Sequence, residues 1–224
     1  MRNQHCIRAL VGFALFAHVH AYASQTNMPP LEHMLLQLPV DKTTITNTPA
    51  GAVVFGGAPS IGEIGFPALP RITYNILLPP DADLTTVSVA LFNGKVEQVP
   101  GDWDLPPTIA WACAEKRPEP KPGGDLRNPA GYTIDNFQPE TYLARFTTGK
   151  MREWRLLHVE LTPYRYNPVS KRLLHLNTTQ LKIDYARFPG FRPTKSRSEM
   201  VADKFRQKIK KSVINFGDMV HRYE

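Results

Sequence analysis

The chain has 224 residues, of which 42% are hydrophobic, and carries a formal charge of +7. This length favours one compact domain with appendages, and the hydrophobic fraction excludes a disordered chain. Its 21 prolines and 14 glycines divide the sequence into short segments, which suits an all-β domain better than a helical bundle. Much of the modest basic excess lies between Lys195 and Lys211, so we predict no nucleic-acid binding.

The first 23 residues have the features of a secretory signal peptide. Arg2 and Arg8 supply a positive start, residues 9–19 are apolar, and Ala21-Tyr22-Ala23 is a small-x-small cleavage site. A transmembrane anchor is the alternative, but it needs roughly 20 apolar residues, and this run is shorter and contains histidine. We therefore predict a mature chain from Ser24 that has no transmembrane span. Its location would be secreted or extracytoplasmic, in the periplasm, on the outer surface or outside the cell.

Most of the mature chain has the pattern of short strands. Residues 24–50 are rich in Thr, Pro and Asn and predict a flexible lead-in, with Met34–Leu38 as one turn of helix or a short strand. Residues 51–190 predict an antiparallel, jelly-roll-like β-sandwich, because apolar and polar residues alternate between turn residues. The predicted strands are Ala52–Phe55, Arg71–Leu78, Thr85–Phe92, Lys95–Val99, Thr108–Cys113, Thr141–Thr147, Met151–Leu161, Arg172–Leu176 and Thr178–Ala186.

Three connections between these strands have distinct patterns. Asn93-Gly94 predicts a type I′ hairpin turn. Asn167-Pro168 predicts a tight turn with paired strands on either side. Residues 101–131 are rich in proline and glycine and too long for a simple connector, which indicates a functional or a flexible loop.

Residues 191–224 predict a basic helical linker or tail. Its apolar residues recur at every fourth position: Val201, Phe205, Ile209 and Val213. Ser196 and Glu199 have the spacing of a capping box at the start of this helix. We favour a helix that packs on the sandwich or leads into another domain over a helix that lies on a membrane surface.

The reactive residue types are not arranged as a catalytic or metal site. Cys113 follows the apolar run Ile109–Ala112 without a neighbouring histidine, which predicts an inert buried thiol instead of a nucleophile. His158 and His175 lie in predicted strands and could face each other across a sheet, but a zinc site needs three or four ligands. The sequence also lacks a phosphate loop, a nucleophile elbow and an evident carboxylate pair. We therefore predict no enzyme activity, no catalytic residues, no metal and no cofactor.

Three stretches share an ordered pattern of proline, glycine and strand residues. They are Gly65–Pro70 with Ile72–Leu78 and Pro79–Ala82, Phe137–Glu140 with Gly149–Arg152, and Val159–Pro168 with Leu173-Leu174. In this order, over residues 60–186, they resemble the N-terminal propeptide domain of gingipain-type cysteine peptidases. The prolines also have a direct physical role, because a residue without an N–H ends a strand ladder.

The resemblance implies a β-sandwich that precedes a caspase-like catalytic domain, assists its folding and keeps it latent. No catalytic domain follows within the 224 residues, so no catalytic residue is carried over. We expect a fragment, the product of a truncated gene, or a family member that acts in trans. The expected partner is the catalytic domain of a cysteine-type endopeptidase, in cis or in trans, and the peptidase activity would belong to the full-length parent.

Two basic regions are the candidate sites for such a role. A propeptide inhibits by laying a loop or strand across the active cleft. The candidate peptidase contacts, in the loop 115–127, are Lys116, Arg117, Lys121 and Arg127. The candidate processing residues are Lys195, Arg197, Arg206, Lys210 and Lys211. The alternative function is a secreted binding or adhesion module, which would be favoured if Trp103, Trp111 and Trp154 formed one exposed strip.

Overall fold

The computed structural model describes residues 30–47, 53–55, 62–109, 126–188 and 199–223. In chain order its elements are β1 (Leu31–Pro39), β2 (Ile45–Asn47), β3 (Val53–Phe55), β4 (Ile72–Leu78), β5 (Ser88–Val99), α1 (Pro129–Tyr132), β6 (Leu143–Met151), β7 (Trp154–Leu161), β8 (Tyr164–Asn167), β9 (Arg172–Ala186), α2 (Glu199–Ser212) and α3 (Phe216–Met219), with a 3-10 turn at Val220–Arg222. The predicted signal peptide lies outside the described residues, as does most of the strand predicted at Thr108–Cys113.

The strands form two main antiparallel sheets. In the first sheet β9 is central, with β5 along one side and both β1 and β8 along the other. In the second sheet β7 lies between β4 and β6. The short strands β2 and β3 form a separate pair. The predicted all-β antiparallel sandwich with a C-terminal helix is therefore confirmed.

The main core fills the space between the two sheets. Alternate residues of the strands point into it, because side chains of a strand alternate between its two faces. The buried residues of β4, β7 and β9 in this core are Tyr74, Ile76, Leu78, Leu157, Val159, Leu161, Leu181, Ile183 and Tyr185. Burying one large apolar side chain stabilises a fold by about 1.5–3 kcal/mol, so this layer holds the sheets together.

A second core cluster supports the irregular segment that follows β5. Its buried members are Phe55, Leu69, Val99, Leu105, Tyr164, Tyr166 and Leu173. The Tyr166 hydroxyl donates to the backbone oxygen of Trp103 at 2.7 Å, and the Trp103 ring packs against the cluster. The segment that leads to the long loop is thus fixed to β8 and β9.

The hairpin predicted at Asn93-Gly94 is wrong, because β5 continues through both residues. Asn93 has the left-handed backbone that the motif indicates (φ 52°), but the strand bulges there instead of reversing. The register with β9 shifts between Phe92 and Lys95 and again between Lys95 and Val96. The two strands predicted on either side of the turn are consequently two halves of one strand.

Of the two alternatives predicted for Met34–Leu38, the strand is confirmed as part of β1, which corrects the flexible lead-in predicted around it for residues 24–50. Residues 31–39 form a nine-residue strand that pairs with β9 along its whole length. Met34, Leu36 and Leu38 alternate along β1 and pack in the main core. Leucines also occupy its exposed face, and this obscured the period-two pattern in the sequence.

The strand boundaries in the last third of the sandwich also differ from the predicted ones. Arg152 and Glu153 form a two-residue turn between β6 and β7, with Arg152 at φ 58°, so the strand predicted from Met151 to Leu161 begins at Trp154. The two strands predicted on either side of Asn177 are one strand, β9. Asn177 does not end the strand, because β5 pairs with Leu176 before it and with Thr178 after it.

The turn predicted at Asn167-Pro168 is confirmed. The strands before and after it, β8 and β9, are paired from Asn167 with Arg172 onward. The Asn167 side-chain oxygen accepts hydrogen bonds from the backbone N–H groups of Val169 and Ser170, both at 3.0 Å. This use of an Asn side chain to close a turn is the physical basis of the prediction.

We expect the fold to lose stability as the pH falls below about 6.5, through His175. Its side chain is 1% exposed and stacks on Tyr164 with ring centroids 4.6 Å apart. Burial lowers the pKa of His175 more strongly than the hydrogen bond to Asn177 and the charge of Glu97 raise it. The unfolded chain therefore takes up a proton at a pH where the folded chain does not.

The measurement is urea unfolding at pH 7.5 and pH 5.5 for the wild type and for His175→Phe. The wild type should lose free energy of unfolding between these pH values, and the variant should lose less. His221→Ala, which removes an exposed histidine, is the control and should keep the wild-type pH dependence. Equal pH dependence of the wild type and the His175 variant would contradict the assignment.

Candidate functional site

The two ends of the long loop are held together on one residue, Gly65. The Gly65 N–H donates to the Thr108 carbonyl at 2.8 Å, and the Gly65 carbonyl accepts from the Asn128 N–H at 2.9 Å. The Thr108 N–H in turn donates to the Phe66 carbonyl at 2.7 Å. These four residues, Gly65, Phe66, Thr108 and Asn128, are called the loop stem below. Residues 110–125, which connect the two sides of this stem in the sequence, lie outside the described residues.

The loop stem is supported by α1 and by the second core cluster. The Asn128 side chain caps α1 by accepting from the Ala130 N–H at 3.0 Å. Gly131 of α1 lies so close to the Phe66 ring that an added Cβ would be 2.7 Å from it. The Tyr132 hydroxyl donates to the Leu105 carbonyl at 2.9 Å. Both ends of the loop therefore continue into well-packed structure.

Gly65→Ala is expected to destabilise the fold by about 1–3 kcal/mol, because Gly65 has φ 87°, a conformation that L side chains rarely adopt. A Cβ there would also lie 2.9 Å from the Asn128 Cβ. Urea unfolding measures the loss. Gly149→Ala is the matched control, since a Cβ on this β6 residue would have no atom within 4 Å. A loss for Gly65→Ala no larger than that for Gly149→Ala would refute the role of Gly65.

The structure places one of the four candidate peptidase contacts, Arg127, at the loop stem. Its guanidinium group forms an ion pair with Asp104 at 3.0 Å and lies over the Tyr132 ring, 4.8 Å from the centroid. These contacts fasten the end of the loop. The other three candidates, Lys116, Arg117 and Lys121, and also Cys113 lie outside the described residues.

The predicted C-terminal helix is confirmed as α2, and it packs on the outer face of the second sheet. Residues 199–223 are called the C-terminal segment below. Its buried apolar side chains, Ile209, Val213 and Met219, meet Leu77, Trp154 and Leu156 of β4 and β7. The proposed capping residue Ser196 lies outside the described residues.

The candidate processing residues fall into two groups, one outside the described residues and one within α2. Lys195 and Arg197 lie outside the described residues. Arg206, Lys210 and Lys211 lie within α2, where both lysines are exposed. Cleavage at a helical position requires local unwinding, whereas proteases prefer exposed, non-helical segments.

Asn215 fixes the C-terminal segment to the edge strand β4. Its side-chain oxygen accepts from the Leu77 N–H at 2.8 Å, and its side-chain nitrogen donates to the Leu77 carbonyl at 2.9 Å. The preceding Ile214 N–H donates to the Asn75 carbonyl at 3.0 Å. Asn215 is 3% exposed, and within the described residues it takes the place of a neighbouring strand along a buried part of β4.

Tyr223 fixes the other end of the C-terminal segment. Its hydroxyl donates to the Leu78 carbonyl at 2.5 Å and accepts from the Arg155 N–H at 3.0 Å. The Tyr223 ring lies on Trp154, with centroids 4.4 Å apart. Burial raises the pKa of Tyr223 well above its usual value, so the hydroxyl stays protonated and keeps donating.

Arg155 orders the proline turn that follows β4. The Arg155 side chain is almost fully buried and donates to the carbonyls of Pro80 (2.5 Å) and Ala82 (2.7 Å). A buried guanidinium needs several acceptors, and backbone carbonyls of a turn supply them here. The sequence pattern Pro79-Pro80-Asp81-Ala82 indicated a strand end and gave no sign of this partner.

The histidines within the described residues do not converge on one site. His158 lies on β7 of the second sheet and His175 on β9 of the first, so the two do not face each other across one sheet. The His158 Nδ1 atom lies 2.5 Å from the Asn75 side-chain oxygen. Among the residues that the structure describes, no three His, Cys, Asp or Glu side chains are grouped as metal ligands.

The tryptophans that the structure describes do not form an exposed strip. Trp154 is 4% exposed beneath the C-terminal segment, and Trp103 is partly buried against the second core cluster. Trp111 lies outside the described residues. The strip that would favour the alternative of a binding or adhesion module is therefore not supported by Trp103 or Trp154.

Comparison with known families decides what this sandwich is. The family model Propeptide_C25 matches residues 18–223, which is nearly the whole chain. The chain belongs to the C25 peptidase propeptide family. The resemblance drawn from the ordered proline and glycine pattern is thereby confirmed. No curated protein matches the sequence of this C25 propeptide.

Two solved structures are similar to this C25 propeptide. The first is described as a complex of the Porphyromonas gingivalis RgpB pro- and mature domains; it is 18% identical, with a TM-score of 0.57, and the match covers 84% of this chain and 93% of that one. The second concerns the zymogenic latency of gingipain K from Porphyromonas gingivalis; it is also 18% identical, with a TM-score of 0.49, covering 69% of this chain and 100% of that one. The first likeness supports a common fold.

Within the described residues, no helix of this C25 propeptide is both long enough and apolar enough to cross a membrane.

Proposed function

We propose that this C25 propeptide keeps a cysteine peptidase latent and assists its folding, and that the loop between Ile109 and Leu126 enters the active cleft. The observation that carries the proposal is the loop stem, where Gly65 holds both ends of the loop. A loop with fixed ends loses less conformational entropy on binding than a free chain of equal length. Such a loop can therefore occupy a cleft with useful affinity.

The basic residues of this loop supply the side chain that enters the specificity pocket. Lys116, Arg117 and Lys121 suit a peptidase that prefers basic residues. Arg127 is already paired with Asp104 and Tyr132, so we assign it to the loop stem instead of the pocket. The chain itself is non-catalytic, and the reaction belongs to the peptidase domain that it contacts in cis or in trans.

We further propose that the protein is exported and then processed. Residues 1–23 direct export as a cleaved signal peptide, and the protein then acts outside the cytoplasm. Of the candidate processing residues, Lys195 and Arg197 are favoured over Arg206, Lys210 and Lys211, because the last three lie within α2.

Inhibition of a C25-type peptidase by purified residues 24–224 tests this function. We expect the wild-type protein to slow cleavage of a basic peptide substrate, and alanine at one of Lys116, Arg117 or Lys121 to weaken inhibition by about 30-fold or more, as for a buried contact residue. Lys150→Ala is the control, because Lys150 is an exposed residue of β6 outside the loop. Failure of the wild type to bind or slow such peptidases would overturn the proposal.

A further inference from the structure

The C-terminal segment contacts the sandwich over several elements, while its covalent connection to β9 runs through residues 189–198 alone. We propose that the segment stays bound to the sandwich after the chain is cut between Phe188 and Glu199. Cleavage at Lys195 or Arg197 would then leave both pieces in one complex. The inference concerns processing, and it does not depend on whether the loop inhibits a peptidase.

The C-terminal segment pairs with the edge of β4. The Ile214 N–H donates to the Asn75 carbonyl, and the Asn215 side chain forms two hydrogen bonds with the backbone of Leu77. The Asn215 pair is buried, so water cannot replace these bonds unless the segment leaves. A bound strand or strand-like peptide uses the same kind of contact when it extends a sheet edge.

Aromatic rings of the segment also pack around Trp154. The rings of Phe216 and Tyr223 lie 6.1 Å and 4.4 Å from the Trp154 ring, centroid to centroid. The guanidinium group of Arg152 lies over the Phe205 ring at 4.2 Å, which adds a contact from the β6–β7 turn to α2. These contacts anchor the segment at three separate places along its length.

The contacts of the segment lie away from the cut. All of the anchoring residues named above lie C-terminal to residue 198 or within the sandwich, so a cut at 189–198 removes none of them. The cut removes only the covalent tether. A short linker of this kind holds the segment near the sandwich at an effective concentration of about 1 mM. The interface should keep the two pieces bound when their concentration is far below this value. It buries Ile209, Val213, Asn215 and Met219.

The experiment introduces a site-specific protease sequence between residues 189 and 198 of the full chain. After cutting, we expect gel filtration at micromolar concentration to give one folded species, and native mass spectrometry to give the summed mass of the two pieces. A separate peak for the piece C-terminal to the cut would overturn the proposal. Unfolding or aggregation of the cut chain would overturn it equally, since the pieces would not hold each other.

Two variants of the cut protein test the assigned contacts. Tyr223→Phe removes one hydroxyl without changing the ring, and Asn215→Ala removes the pairing with Leu77. Each should speed dissociation by about tenfold or more, as expected for the loss of a buried hydrogen bond. Gln207→Ala on the exposed side of α2 is the control and should dissociate like the unsubstituted cut protein. Dissociation of both variants at the control rate would refute these contacts.

If the segment is retained, processing and release are separate events. A peptidase that cuts at Lys195 or Arg197 would produce a nicked propeptide in which the C-terminal segment still covers β4 and Trp154. Release would require the segment to detach from Leu77, Leu78 and Arg155, a second step with its own rate.

Discussion

Trp154→Ala is expected to lower the free energy of unfolding by about 3–5 kcal/mol, the range for a buried aromatic residue cut back to alanine. Trp154 begins β7, is 4% exposed and joins the second sheet to the C-terminal segment through Phe216 and Tyr223. Removing the indole leaves a cavity at the centre of that contact. The same change should loosen α2, because Ile209 packs in the same cluster.

Urea unfolding followed by circular dichroism measures this effect. Phe146→Ala is the control, since Phe146 of β6 is an aromatic residue that is 37% exposed and should cost far less. Limited proteolysis adds a local readout, with faster cleavage expected around Lys210 and Lys211 in the Trp154 variant. Equal losses of free energy of unfolding in the Trp154 and Phe146 variants would show that Trp154 is not the centre of the packing between the second sheet and the C-terminal segment.

Asn215→Ala is expected to cost about 2–4 kcal/mol, because it leaves the N–H and the carbonyl of Leu77 without their partner in a buried place. The two polar atoms of the Asn215 side chain contribute more to this loss of stability than its volume does. Alanine also fits the backbone of Asn215, which has an ordinary negative φ of −117°. The loss should therefore come from the unmade hydrogen bonds and not from strain.

Hydrogen exchange at the Leu77 amide distinguishes this cause from general loosening. The amide should be protected in the wild type and should exchange much faster in Asn215→Ala, while the amide of Leu157 in the main core changes less. Asn136→Ala is the control, because Asn136 is exposed and its side chain bonds only its neighbour Phe137 among the described contacts. Unchanged protection at Leu77 would contradict the role of Asn215.

The sequence predicts the sheets better than their connections, and β5 explains why. The alternation of Val87, Val89 and Leu91 correctly predicts a strand. The Asn93-Gly94 pair correctly indicates a left-handed backbone, but this conformation is common to a hairpin turn and a bulge. The deciding factor is β9, which runs beside both halves of β5, and such a distant partner leaves no local trace in the sequence.

The candidate sites also contain features that a local sequence pattern predicts and features that depend on residues far away in the chain. Periodicity predicts α2 with its buried residue Ile209, and also the buried Val213 directly after it, because helical spacing is a local property. The roles of Gly65 and Asn215 depend on Asn128 and Leu77, which are far away in the chain. Gly65 does begin the first stretch of the family pattern, and this was the signal in the sequence that pointed toward the loop stem.

The central position of β9 has a consequence for the order of folding. β1 begins at Leu31, yet its partner residues end at Ala186, so this pairing closes a loop on the order of 150 residues long. The first strand of the sandwich cannot take its place until almost the last one exists. Until then the core-facing leucines of β1 have no sheet to cover them, which is the condition under which chains aggregate or bind chaperones. Substitutions in β1 should therefore lower the folding yield more than is usual for a strand at the edge of a sheet.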